Sequence, residues 1–387
     1  MRDFVFHNPT KIIFCQNILG QTGGQTAPLA AKALLVSGRE SLKNLGVHQI
    51  VRHSLEQAGI EVTEHAGVQP NPTVSHVQQG IALAQKNRVG VIVALGGGSV
   101  IDSAKAIAAG TLAGHDVWGF FKGKKSIKDA LPVVAIPTVA GSGSETNNGM
   151  VLTNEATGQK IGIGNRHLFP KIAILDPTVT FSVPPSTTAF GAVDAFSHLL
   201  EFYLNREEPF APLQDRYSAG LMQTVMIACE AALANPSDYQ SRAELMWASA
   251  LALNGISSAG LGRVEFPFHL IEHSLSGLHN IPHGAGLAAI LPGAMAFAAR
   301  KKPDRQALFA TQVFGVHDAD QHLLAQKGVL FFSQWLKKIA APTSLGDLGL
   351  SQKDIPALAE NTRTQARLWR LSEYPPEIVE AILQECL

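Results

Sequence analysis

Short, continuously apolar runs alternate with amphipathic stretches through the first part of the chain. Residues 33–37, 89–95 and 131–136 are rich in aliphatic and β-branched side chains, which predicts strands. Residues 42–58 and 74–86 instead repeat apolar positions at helical spacing. Apolar strands separated by helices are typical of a parallel sheet that is covered on both faces. The pattern therefore predicts an α/β domain.

Two consecutive prolines, Pro184 and Pro185, mark a change in this pattern, because adjacent prolines stop regular structure. Beyond them, apolar positions recur with a period of about 3.6 residues, which predicts helices. We therefore predict an α/β dinucleotide-binding domain at 1–184 and an all-helical domain at 185–387. The predicted helices of the second domain cover residues 187–204, 212–233, 239–259, 264–278, 284–301 and 322–340.

Composition and charge argue against several classes of partner. Of the 387 residues, 46% are hydrophobic, and the 31 basic side chains balance the 31 acidic ones. A balanced chain has no basic field to attract nucleic acid or anionic lipid. The longest apolar stretch, 284–299, contains Pro292 and is shorter than the roughly 20 residues of a membrane span. Neither a nucleic-acid partner nor a membrane partner is expected.

The cysteines and the N-terminus favour a cytoplasmic location. Cys15, Cys229 and Cys386 are far apart and show no Cys-x-x-Cys spacing. A disulfide framework is therefore not expected, which suits a reducing compartment. The first residues also lack the apolar core of a secretion signal.

Two loops that directly follow predicted strands are candidate cofactor sites. A Gly-Gly-Gly-Ser sequence at 96–99 precedes a helix that contains Asp102. Glycines allow backbone N–H groups to approach a phosphate, and the N-terminus of a helix adds partial positive charge. Residues 137–148 supply small, hydroxyl and amide side chains after the next strand. Ligands of α/β proteins bind at this carboxyl edge of the sheet.

The second half of the chain contains five candidate metal ligands. Asp194 and His198 are four residues apart, as are His269 and His273, and His283 follows in a Pro-His-Gly sequence. Side chains four apart share one face of a helix, so the two pairs could converge on one cation. Carboxylate and imidazole donors suit Fe²⁺, Zn²⁺, Co²⁺ or Ni²⁺ better than Mg²⁺ or Ca²⁺. Spacing alone leaves open which residues bind the metal. Glu145 and Glu201 could support a ligand from behind or act as general acids or bases, but solvated or structural carboxylates are the favoured interpretation.

Taken in order, these motifs resemble the iron-containing (group III) alcohol dehydrogenase family, in particular its branch of NADPH-dependent aldehyde reductases and butanol dehydrogenases. The likeness extends from residue 8 to the last helices. The motifs that carry it lie at 70–73, 96–102, 137–145, 194–198, 269–273 and 282–284.

The resemblance selects among the candidate ligands. It implies that Asp194, His198, His269 and His283 bind the metal, which would be Fe²⁺, Zn²⁺ or another divalent transition metal. It also implies that His273 lies beside the nicotinamide and the substrate, as a catalytic group that handles a proton. His279 falls where the family varies and is treated as incidental.

The resemblance also implies a fold and an assembly. The expected architecture is that of dehydroquinate synthase, with a Rossmann-like domain followed by an all-helical metal-binding domain. Residues 4–14 show partial alternation, which predicts an extra hairpin or edge strand. A homodimer formed through this segment is expected. The family's cofactor contacts fall on Asn71, Gly97, Gly98, Ser99, Thr138, Ser142 and Lys160, and Asp102 belongs to the same glycine-rich motif.

One departure bears on the choice of cofactor. NAD-preferring members similar to lactaldehyde reductase have an aspartate after the first cofactor strand, where this chain has Gly38. Loss of that carboxylate removes repulsion of a 2′-phosphate, and Arg39 and Ser41 could bind the phosphate. Glu40 opposes this interpretation. NADP(H) is favoured over NAD(H), the alternative being that Gly38 merely closes the turn.

The expected activity is reversible hydride transfer between NAD(P)(H) and a small primary alcohol or aldehyde. The enzymic alternatives are a lyase of the dehydroquinate synthase type and polyol oxidation of the glycerol dehydrogenase kind. A binding scaffold without catalysis is the remaining alternative. Apolar residues around the metal motifs, such as Phe196 and Phe268, favour a small neutral substrate over a phosphorylated one.

Overall fold

The structure, a computed structural model, describes residues 1–38 and 46–387. These residues divide into two compact units. The first, called the sheet unit, comprises residues 7–183 and 237–246. The second, called the helical unit, comprises the remaining described residues, 1–6, 184–236 and 247–387.

The strands of the sheet unit, within the described ranges, are β1 Lys11–Phe14, β2 Lys32–Ser37, β3 Glu61–His65, β4 Val91–Gly96, β5 Val133–Pro137, β6 Gly149–Asn154, β7 Gln159–Gly164 and β8 Ile172–Leu175. Six of them form a wholly parallel sheet in the order β1-β8-β5-β4-β2-β3. β1 is an edge strand, paired in parallel with β8, so residues 4–14 supply an edge strand and not a hairpin. An antiparallel hairpin, β6 with β7, forms a separate small sheet.

Alternate side chains of the central strands are buried in two different apolar clusters. Leu34 and Ile92 belong to one cluster, and Leu35 and Val93 to the other. A strand that is buried on both faces must be apolar at successive positions, which explains the continuous runs in the sequence. The helices of this unit are α1 Thr22–Thr26, α2 Val47–Gln57, α3 Val74–Lys86, α4 Gly98–Thr111 and α5 Trp118–Phe121. The predicted α/β fold is confirmed.

The helices after Val183 often begin at proline, which has no N–H to leave unpaired and a φ suited to the first turn. They are α6 Pro185–Leu204, α7 Pro212–Ala234, α8 Tyr239–Ala252, α9 Pro267–His279, α10 His283–Lys301, α11 Pro303–Phe314, α12 Gln321–Lys338, α13 Ile355–Trp369 and α14 Pro376–Gln384. Shorter 3₁₀ turns connect some elements. Among the described residues, no helix has both the length and the hydropathy needed to span a membrane.

Some predicted helix limits were wrong. The helix predicted over 239–259 ends at Ala252, and it could not continue to 259, because Gly255 adopts a φ of +97° that is incompatible with a helix. The helix predicted from 264 begins at Pro267. The sequence interpretation also placed no helix at α11, α13 or α14.

One glycine allows α10 to approach α6 closely. A Cβ at Gly284 would lie 2.6 Å from the carbonyl carbon of Phe190 and would collide with its oxygen.

We expect Gly284→Ala to lower the free energy of unfolding by about 1–3 kcal/mol, as overpacking does. Gly220→Ala in α7 is the control, since in the described part of the chain nothing lies within 4 Å of its added Cβ. The control should raise the same free energy by about 0.5–1 kcal/mol. Urea unfolding of the metal-free proteins measures both free energies. A free energy of unfolding that Gly284→Ala leaves unchanged would contradict the close packing of α10 on α6.

Candidate metal and cofactor sites

Helices α6, α9 and α10 bring one carboxylate and three imidazoles together. Asp194 and His198 lie one turn apart on α6, His269 lies near the start of α9, and His283 begins α10. The Oδ1 atom of Asp194 is 3.7 Å from Nε2 of His198, 3.7 Å from Nε2 of His269 and 3.5 Å from Nε2 of His283. These side chains are called the Asp194 cluster.

The separations in the Asp194 cluster fit donors that share an ion. They exceed ordinary hydrogen-bond lengths. Ligands about 2.1 Å from a tetrahedral ion would lie about 3.4 Å from one another. Within the described residues, Asp194 Oδ1 and His269 Nε2 are buried and have no hydrogen-bond partner. Buried polar atoms are seldom left unsatisfied. The cluster could therefore hold a divalent transition metal, for which this donor set is suited.

The charges in the cluster are strongly coupled. Burial raises the pKa of Asp194, but the nearby imidazoles outweigh burial and hold this pKa below its usual range. Burial lowers the pKa of His198, despite the opposing effect of Asp194. Burial also acts to lower the pKa of His269, but Glu201 and Asp194 raise it above its usual range. His198 is thus neutral near pH 7, the form in which an imidazole can bind a metal.

Two fully buried glutamates lie behind the cluster. Glu201 forms a short hydrogen bond with Nδ1 of His269, and Glu272 forms one with Nδ1 of His283. The sequence interpretation allowed Glu201 a supporting or acid–base role but favoured a solvated or structural carboxylate, and it assigned no role to Glu272. The available signal was helical spacing, since Glu201 follows Asp194 by two turns of α6.

His273 lies one turn beyond His269 on α9, and it is buried. Its Nδ1 is 3.0 Å from Oε1 and 2.8 Å from Nε2 of Gln365, a buried residue of α13 that the sequence interpretation missed. Its ring centroid lies 5.6 Å from that of His283 and 5.7 Å from that of Trp369. His273 is therefore a neighbour of the cluster. His279 is exposed at the end of the same helix.

The predicted cofactor residues of the sheet unit gather around the turn between β4 and α4. Gly97 is the N-cap of α4, and a Cβ on Gly98 would collide with the side chain of Ser142. Thr138 N donates to the carbonyl of Gly96 over 3.1 Å. Ser99 Oγ forms a short hydrogen bond with the carbonyl of Pro70. The glycine-rich turn, the loop after β5 and the segment before α3 are thus adjacent.

Other predicted cofactor residues form hydrogen bonds with each other or with neighbouring segments of the sheet unit. Lys160 Nζ donates to Oδ1 of Asn71 over 3.1 Å, and both residues are buried. Asp102 uses both carboxylate oxygens internally, since it accepts from Ser144 Oγ over 2.6 Å and from Val151 N over 3.0 Å. Asp102 therefore holds the loop after β5 to α4.

Lys105, one turn after Asp102, is a buried charge that the sequence interpretation missed. Its Nζ donates to Ser144 Oγ, Asn147 and the carbonyl of Gly149, over 2.7–3.0 Å. Burial lowers the pKa of Lys105 to about 8. Lys105 and Asp102 thus fix the same loop from one helix.

Gly38 directly follows β2, and its carbonyl accepts from Gly67 N over 3.2 Å. Arg39 and Ser41, which were predicted to bind a 2′-phosphate, lie outside the described residues.

Comparison with known proteins finds a family model for each half of the chain. The family model "Iron-containing alcohol dehydrogenase" matches residues 9–177. The model "Fe-containing alcohol dehydrogenase family, C-terminal" matches residues 188–385. The chain belongs to the iron-containing alcohol dehydrogenase family. The predicted resemblance is confirmed.

Relatives of this member of the iron-containing alcohol dehydrogenase family match along all or most of its length. Probable NADH-dependent butanol dehydrogenase 1 of Bacillus subtilis is 35% identical, covering 100% of both chains. The NADPH-dependent aldehyde reductase YqhD of Escherichia coli is 32% identical, covering 92% of both. The crystal structure of NADH-dependent butanol dehydrogenase A from Thermotoga maritima matches with a TM-score of 0.96 at 39% identity, covering 100% of this chain and 99% of that one.

Proposed function

We propose that the protein catalyses reversible hydride transfer between a nicotinamide dinucleotide and a small primary alcohol or aldehyde, with Asp194, His198, His269 and His283 as its metal ligands. The observation that carries this proposal is the convergence of three imidazole nitrogens on one carboxylate oxygen, at 3.5–3.7 Å. Membership of the iron-containing alcohol dehydrogenase family supports the reaction class. Relatives named butanol dehydrogenase and 1,3-propanediol dehydrogenase support a small substrate.

When bound, the metal supplies Lewis-acid polarisation of the substrate oxygen. The nicotinamide ring carries the redox chemistry, and the protein contributes orientation and exclusion of water. We propose iron as the resident ion, with zinc as the alternative, because both accept this donor set. His273 is proposed to hold and transfer the proton of the substrate hydroxyl. Gln365 engages its Nδ1, so that exchange would pass through Nε2.

NADP(H) is the proposed cofactor. Gly38 is not demanded by the backbone: its φ is not left-handed, and among the described residues an added Cβ would meet nothing closer than 3.8 Å. The backbone would therefore accept an aspartate at this position, but the chain has glycine. The absence of aspartate removes one carboxylate that would repel a 2′-phosphate. Relatives named as NADH-dependent and as NADPH-dependent have similar identities to this chain, so identity does not choose between the cofactors.

The enzyme is proposed to be a cytoplasmic homodimer. In the part of the chain that the structure describes, Cys15, Cys229 and Cys386 form no disulfide, which fits a reducing compartment. β1 lies at the edge of the sheet, where unpaired backbone groups can be covered by another chain.

Metal analysis after anaerobic purification, followed by an aldehyde panel with NADPH and NADH, tests the proposed reaction. His269→Ala and His283→Ala should each lose the bound metal and aldehyde-dependent NADPH oxidation, because each removes one donor. His279→Ala is the matched control, since this exposed histidine shares α9 with His269. Unchanged metal content in both ligand variants would refute the ligand assignment. If metal-loaded protein oxidised neither NADPH nor NADH with any aldehyde of the panel, the proposed reaction would be refuted.

Gly38→Asp should reverse the preference for cofactor by placing a carboxylate where the 2′-phosphate is proposed to bind. The ratio of kcat/KM for NADPH to that for NADH should fall by about 10- to 100-fold, equivalent to about 1.4–2.8 kcal/mol. Gly114→Asp, with the same change of charge at an exposed glycine, is the control and should leave the ratio unchanged. A ratio that does not respond to Gly38→Asp would remove this position from cofactor selection.

His273→Ala should lower kcat by about 10²–10⁴-fold, the usual contribution of a positioned proton-transfer group. Its metal content should match that of the unaltered protein, since His273 is not a proposed ligand. Steady-state turnover and elemental analysis of the same preparation measure the two effects. Full turnover in this variant would exclude the proposed role.

A further inference from the structure

Each of two metal-ligand imidazoles is held from behind by a fully buried glutamate. We propose that Glu201 and Glu272 are positioning residues that fix the orientation and the donor nitrogen of His269 and His283, and thereby set the affinity of the site for its metal. This inference rests on the proposed metal site. It adds two carboxylates to the groups that determine how tightly the site binds its metal.

The hydrogen bonds specify which nitrogen of each ring is available to bind the metal. Glu201 engages Nδ1 of His269, and Glu272 engages Nδ1 of His283. In a neutral imidazole, a proton on Nδ1 leaves a lone pair on Nε2. In both rings, Nε2 is the atom directed at Asp194, at 3.7 Å and 3.5 Å. A carboxylate that holds the far nitrogen also makes an imidazole a stronger ligand.

Glu201 ties His269 to the start of its own helix. One of its oxygens engages the imidazole, and Oε1 accepts from the backbone N–H of Phe268 over 2.6 Å and of His269 over 3.3 Å. These N–H groups belong to the first turn of α9, which begins at Pro267, and have no partner within that helix. A carboxylate on α6 thus caps α9 and orients its ligand at the same time.

Glu272 ties His283 to the turn that precedes it. Its Oε1 forms a short hydrogen bond with Ser276 Oγ, which also lies 2.9 Å from the carbonyl of Ile281. A Cβ on Gly286 would lie 2.8 Å from this Oε1, so α10 packs directly on the carboxylate. The same group therefore connects α9, the turn into α10 and the imidazole.

His198 shows that this support is selective. Its Nδ1 is buried and, among the described residues, has no hydrogen-bond partner. The two supported imidazoles come from α9 and α10, whereas His198 shares α6 with Asp194 and is placed by the helix itself. The glutamates are thus found where a ligand must be held from a different helix.

The test is the dissociation constant of Zn²⁺ in Glu272→Gln, Glu201→Gln and Glu272→Leu, measured by competition with a chromophoric chelator. Gln keeps the shape and an acceptor oxygen but removes the charge, whereas Leu removes both. We expect binding about 10-fold weaker for each Gln variant and about 100-fold weaker for Leu, the range found for such outer groups. The d–d absorption spectrum of the Co²⁺-loaded protein should change, because the donor geometry changes.

Asp176→Asn provides a matched control for the loss of a buried carboxylate. Asp176 is also buried, and the hydrogen bonds described for it come from Ile18 and Thr178. This variant should keep the unaltered Zn²⁺ affinity and Co²⁺ spectrum. Thermal unfolding of each metal-free variant separates lost stability from lost affinity.

Folded Gln and Leu variants with unaltered Zn²⁺ affinity and Co²⁺ spectrum would overturn the inference, even if their melting temperatures fell. The failure of the metal site itself would look different, since His269→Ala and His283→Ala would then also bind Zn²⁺ normally. If those histidine variants lose Zn²⁺ while the glutamate variants retain it, the site stands and the positioning role does not.

Discussion

The helical unit is organised around one buried carboxylate oxygen. Asp194 Oδ1 has three imidazole nitrogens at 3.5–3.7 Å, and within the described ranges it accepts no hydrogen bond. A buried charge is costly unless it is compensated, so the groups around it must be precisely placed. Those groups come from α6, α9 and α10, so the packing of these helices is constrained by the chemistry at their centre.

That constraint explains features of the packing that would otherwise seem unrelated. Gly284 permits α10 to approach the backbone of α6, next to the residue that supplies one imidazole. Glu201 caps the first turn of α9 from α6, and Glu272 on α9 engages Ser276 of the same helix and His283 at the start of α10. Each contact restricts the position of one end of a helix, and a metal site requires that its ligands be held precisely.

In the sheet unit, buried charge is used to hold a loop. Asp102 and Lys105 lie one turn apart on α4 and both engage the loop after β5, through Ser144 among others. The glycine-rich turn lies beside that loop, where Gly98 leaves room for Ser142. Backbone N–H groups can approach a phosphate closely only where such small residues are held still. Two charged side chains thus serve a site composed largely of backbone.

The sequence by itself determined the class of fold, the family and the candidate residues, because these depend on local patterns. Apolar runs predicted the strands, and four-residue spacing placed Asp194 with His198 and His269 with His273 on helix faces. Spacing could not choose the ligands, since a helix presents several side chains on one face. Only the tertiary structure decided that Glu272 and Gln365 hold imidazoles, because those contacts join residues on different helices. It also showed the limits of helices such as α8, which depend on a backbone conformation that periodicity does not report.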